Sequence, residues 1–116
     1  MVDDDLEDRI AMRRALVQAG FEVHEADNGR RAIERIHETD YDMLVVDIMM
    51  PQVDGYELLS YLKKKDPEVL ARTVVVSRLD MRDMKVFFPL CQVLPKPIDA
   101  EALGVLARIM RNAREP

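Results

Sequence analysis

Two stretches of the chain, Met43-Leu44-Val45-Val46 and Thr73-Val74-Val75-Val76, are aliphatic or β-branched with no charge among them. A strand covered on both faces reads this way, because every side chain meets a protein layer whichever face it lies on. Phe21 to Ala26 alternates instead, with charges interspersed, and is expected to form an edge strand. Cys91-Gln92-Val93-Leu94, just before Pro95, is a further strand candidate.

Helical spacing fills the intervals. Met12, Ala15, Leu16 and Ala19 fall on one helical face, and Gly20 is placed to end that helix. Asn28 can cap a helix from Gly29 to Glu38 that turns Ala32, Ile33 and Ile36 inward. Gly55, Leu58, Leu59 and Leu62 repeat the pattern, as do Leu103, Leu106, Ala107 and Met110 after a cap at Asp99. A weaker helix starts near Asp80 and is cut short by Pro89. Strands alternating with helices predict an α/β doubly wound parallel sheet, since parallel neighbours need crossover helices. Only Met1-Val2 precedes the acidic triplet Asp3-Asp4-Asp5, so the first strand is expected to be truncated. About four to six further strand residues are expected from upstream sequence or from another chain.

The 116 residues make one domain, 1–116, with no effector domain expected beside it. With 48% hydrophobic and 34% charged residues the chain reads as globular rather than disordered. Its formal charge of −5 and the isolated basic run Lys63-Lys64-Lys65, followed by Asp66, argue against nucleic-acid binding by this chain alone. That run reads as a solvated helix end. No apolar run approaches a membrane span and no leader opens the chain, so a cytoplasmic protein with no membrane contact is expected. Cys91 is a single cysteine and reads as a small core residue. His24 and His37 lack partners at ligand spacing and read as surface residues.

Ligands of open α/β sheets bind beyond the carboxyl ends of the strands. Asp3, Asp4 and Asp5 follow the first strand position; Asp47, then Met49, Pro51 and Asp54-Gly55, follow the next. Ser77 follows Val76, and Lys96-Pro97 follows Pro95. Clustered carboxylates favour a hard divalent cation, and oxygen ligands with vacant positions suit Mg²⁺. A carboxylate beside such a cation can attack phosphorus, and a hydroxyl and an ammonium can then hold the phosphoryl oxygens. Each residue alone has an ordinary reading as a frayed end, a turn or a loop. Their joint order at successive strand ends carries the argument.

On Val2-Asp3-Asp4-Asp5, Asp47-Ile48-Met49-Met50-Pro51 with Asp54-Gly55, Ser77 and Lys96-Pro97, the chain resembles the receiver domains of two-component response regulators. The likeness runs from Val2 to Met110. It implies a flavodoxin-like sheet of five strands in the order 2-1-3-4-5 with five helices. It also implies Asp47 as phosphoacceptor, and Mg²⁺ held by Asp3 through water and by Asp4, Asp47 and the Met49 backbone carbonyl. Ser77 would be the switch hydroxyl and Lys96 the phosphoryl counter-charge, followed by a cis Pro97. The implied phosphodonor is a histidine kinase or a histidine phosphotransfer protein. A homodimer or an effector would use the face of the fourth helix, fifth strand and fifth helix.

Three departures touch that face: the spacing from Ser77 to Lys96 is short, Val93 stands where an aromatic is usual, and Arg78 stands where a small residue is usual. Arg78 either folds over the pocket or points into solvent. The apolar run from Leu79 to Leu90 predicts a two-turn helix beside an apolar patch open to a partner. The expected function is therefore a phosphorylatable receiver, not an enzyme beyond its own phosphorylation and slow dephosphorylation. The alternative is a receiver-like interaction module that no longer switches. A phosphatase using an Asp nucleophile fits poorly, because Met49 stands where its second Asp would be.

Overall fold

The computed structural model describes residues 1–2, 5–47, 55–77 and 91–114. In chain order these form α1 (Leu6–Gln18), α2 (Gly29–Glu38), β1 (Leu44–Asp47), α3 (Gly55–Lys65), α4 (Pro67–Ala71), β2 (Thr73–Ser77), β3 (Gln92–Pro95) and α5 (Ala100–Arg114). Asp3, Asp4, Met49, Arg78 and the weak helix expected between Asp80 and Pro89 lie outside the described residues, as does the patch expected from Leu79 to Leu90.

Side-chain caps set where the helices begin. The Asp5 carboxylate accepts from the Asp8 N–H at 3.0 Å, the Asn28 side chain from Arg31 at 2.9 Å, and Asp99 from Ala102 at 3.1 Å. Each satisfies one of the amide donors that the first helical turn leaves without a partner. α1 stops at its Ala19 C-cap, and Gly20 takes φ +94°, which a side chain would strain. α4 was not anticipated from apolar spacing; its signal is local, with Asp66 as cap (3.2 Å from Val69 N) and Pro67 in the first turn.

β1, β2 and β3 pair in parallel, with Val45 beside Val74 and Val75 beside Val93. Strand alternation then sorts the apolar runs onto two layers. Leu44, Val46 and Val75 pack with Ala32, Leu58, Leu59 and Leu62 of α2 and α3. Val45, Val74 and Val76 pack with Met12, Leu16, Leu103 and Ala107 of α1 and α5. Both faces are covered, which is why the runs carry no polar break.

On the far side of β1 the ladder continues through Met1 and Val2. Val2 N donates to Val45 O at 2.7 Å, Asp47 N to Val2 O at 2.8 Å, and Ala26 N to Met1 O at 2.9 Å. Val2 thus bridges Ala26 on one side and Val46 on the other, in parallel to both. The spatial order, with residues 24–26 outermost, then Met1-Val2, β1, β2 and β3, is 2-1-3-4-5. The fold class follows the expectation; the strand over Phe21 to Ala26 does not. Among the described residues that segment forms a single bridge, between Ala26 and Val2.

Cys91 is buried among the apolar side chains of the α2/α3 layer, and burial pushes its thiol up from an ordinary 9.0 to about 11. At pH 8 the native thiolate population falls about a hundredfold below that of a free thiol. A thiol-specific chromogenic reagent should therefore label the native chain at least that much more slowly than the chain in denaturant. Comparable rates in the two states would place Cys91 at the surface.

Candidate functional site

Parallel pairing brings the carboxyl ends of three strands to one rim. Asp47 pairs with Val76 and Ser77 with Pro95, so the ends of β1, β2 and β3 are level. The Lys96 N–H donates to Ser77 O at 2.8 Å, which extends the ladder by one bond and fixes where the lysine leaves the sheet. Lys96-Pro97 is cis, as expected.

The Lys96 ammonium reaches back across the strand ends. Its Nζ lies 3.0 Å from Asp47 Oδ2 and 2.7 Å from Asp8 Oδ2. The side chains are enclosed: Lys96 is 2% exposed, Asp47 5% and Asp8 17%. Ser77 is buried at the adjoining strand end. Such a site works in a medium less polar than water, where a charge must be paired to be tolerated. Three sequence-derived residues, Asp47, Ser77 and Lys96, therefore stand on one rim. Asp3, Asp4 and Met49, the remaining expected metal ligands, lie outside the described residues.

Asp8 was not anticipated. An acid in the first turn of a helix is ordinarily explained by the helix dipole alone. A stronger signal was available: Asp8 stands four residues before Met12, on the stripe that continues through Ala15 and Leu16, all buried. A carboxylate on the inward stripe of a helix requires a cationic partner.

Of the two histidines expected at the surface, His37 is exposed and His24 is half-buried. His24 Nδ1 lies 2.8 Å from the Tyr41 hydroxyl and its Nε2 3.2 Å from Glu22, so it is a half-buried, partnered side chain. His37 is exposed but also hydrogen-bonded, at 2.7 Å from the Tyr61 hydroxyl. Neither is near the rim. A cavity of about 300 Å³ lined by His37, Asp40, Tyr41, Asp66 and Arg72 lies at the opposite, amino ends of the strands. The charged groups, rather than the concavity, mark the site.

The family model of the response regulator receiver domain matches residues 1–108. The chain is 36% identical over 87 residues to the chemotaxis protein CheY of Bacillus subtilis, covering 74% of this chain and 71% of that one. It is 30% identical over 118 residues to the CpxR homolog of Haemophilus influenzae, a transcriptional regulatory protein, covering all of this chain and 51% of that one. Among solved structures, the beryllofluoride-activated receiver domain of nitrogen regulatory protein C superposes with a TM-score of 0.78 at 30% identity, covering 98% of this chain and 94% of that one. The chain belongs to the response regulator receiver domains of two-component signalling. It spans about half the length of the longer curated relatives it matches. No described helix is long and apolar enough to cross a membrane.

Proposed function

We propose that this chain is a phosphoacceptor switch, with Asp47 receiving a phosphoryl group from a histidine kinase or a histidine phosphotransfer protein. The observation that carries the reading is the Asp47 carboxylate, buried at the carboxyl end of β1 and held 3.0 Å from the Lys96 ammonium. In the transfer an Asp47 oxygen forms the new bond to phosphorus. The bond from phosphorus to the donor's imidazole nitrogen breaks, and its electron pair stays on that nitrogen. The Lys96 ammonium, already beside the carboxylate, supplies counter-charge to the phosphoryl oxygens. Ser77, on the neighbouring strand end, is the hydroxyl that follows the phosphoryl group and reports its arrival to the rest of the domain.

Receiver domains typically bind Mg²⁺ at an acidic pocket. Asp47 and Asp8 bring two carboxylates together at the Lys96 ammonium, and clustered hard oxygen donors suit that cation. Asp3, Asp4, Asp47 and the Met49 carbonyl are the proposed ligands. When bound, Mg²⁺ would neutralise developing charge on the phosphoryl oxygens. Receiver domains are not enzymes in the ordinary sense, and self-phosphorylation with slow hydrolysis is the only chemistry proposed for this one.

Supplied with acetyl phosphate and Mg²⁺, the chain should gain one phosphoryl group by intact-mass measurement, and Asp47→Asn should gain none. Equal labelling of the two would remove Asp47 from the role.

A further inference from the structure

We propose that Asp8 is a positioning residue that holds the Lys96 ammonium, so that a phosphoryl group arriving on Asp47 must compete with it for that charge. The inference rests on the reading of Asp47 as phosphoacceptor and goes beyond it, since Asp8 is outside the residues that carry the receiver likeness.

The geometry is specific. The ammonium has three N–H donors, and its contact with Asp8, 2.7 Å, is shorter than its contact with Asp47, 3.0 Å. Asp8 is anchored on a rigid element: its backbone N–H is capped by Asp5, and Met12 and Leu16 of the same helix face are buried. Lys96 is anchored independently by its backbone bond to Ser77. Helix α1 and the end of β3 are thereby tied through one ammonium across 88 positions of sequence.

Two consequences follow for phosphoryl transfer. Before transfer, Asp8 adds a negative charge beside the path of an anionic donor and slows its approach. After transfer, Asp47 carries an ester-like oxygen and a dianionic phosphoryl group, and Lys96 is divided between that group and Asp8. Removing the Asp8 charge lifts that competition and leaves more of the ammonium's charge to the phosphoryl group.

The test compares wild type with Asp8→Asn, which keeps the shape and the backbone cap, with Asp8→Ser as a second charge-removing variant. Asp8→Glu retains the charge. Phosphorylation rates are measured against concentration of acetyl phosphate, a dianion near neutral pH, and of phosphoramidate, which carries less negative charge; thermal unfolding verifies that each variant is folded. Asp8→Asn and Asp8→Ser should be phosphorylated about tenfold faster by subsaturating acetyl phosphate. The gain should be smaller with phosphoramidate, and Asp8→Glu should stay near the wild-type rate. Labelled wild type with no gain in either charge-removing variant, or with the same gain for both donors, overturns the role of Asp8 and leaves Asp47 as phosphoacceptor. No labelling of wild type or of any variant overturns both readings together.

Discussion

Lys96→Met should destabilise the fold by about 3–5 kcal/mol at neutral pH, the cost of breaking a buried ion pair from one side. Methionine matches the length and much of the volume of lysine, so the loss is electrostatic rather than a cavity. The substitution takes away the cation that Asp8 and Asp47 share in that enclosed space. The low exposure of Lys96 and Asp47 keeps water from screening them as it would a surface pair. Introducing Asp8→Asn into the Lys96→Met background should recover at least ~1 kcal/mol, because one of the two facing charges is removed. Urea unfolding followed by circular dichroism measures both. A loss under ~1 kcal/mol for Lys96→Met would mean that the bridge contributes as little as an exposed pair does.

Leu103→Ala should cost about 2–5 kcal/mol, through lost burial and the cavity left behind. Leu103 is fully buried where α5 meets α1 and the sheet, in one cluster with Met12, Val45, Val74, Val76 and Ala107. The two helices approach closely there: a side chain at Gly104 would come within 3.7 Å of Ala19 Cβ. Collapse into the space left by Leu103 would require α5 to shift against α1, so little of the cavity should close. Ile109 on the same helix is 59% exposed, and Ile109→Ala should change stability by no more than ~0.5 kcal/mol. Similar losses for the two substitutions would place α5 differently on the sheet.

The features legible in the sequence are those written along neighbouring residues. The caps at Asn28 and Asp99, the inward stripes of α1, α2, α3 and α5, and the unbroken apolar runs of β1 and β2 depend on spacings of one to four positions. Those spacings are fixed by the helical and strand repeats, so a one-dimensional pattern suffices. Parallel strands with crossover helices then leave few topologies, and the ends of β1, β2 and β3 must fall on one rim. Asp47, Ser77 and Lys96 were found that way.

What the tertiary structure decided concerns partners. Lys96 meets Asp47 across 49 positions and Asp8 across 88, and no local repeat specifies which of several acids near the start of the chain reaches it. His24 and His37 have no partners at ligand spacing along the chain; the hydroxyls of Tyr41 and Tyr61 come to them through packing. Phe21 to Ala26 carries strand alternation yet forms a single bridge among the described residues, because a strand is completed by its neighbour's backbone and not by its own alternation. Side-chain periodicity states which face a residue prefers. Ladder length and ion pairing are set by what the rest of the fold places opposite, and that information resides in three dimensions.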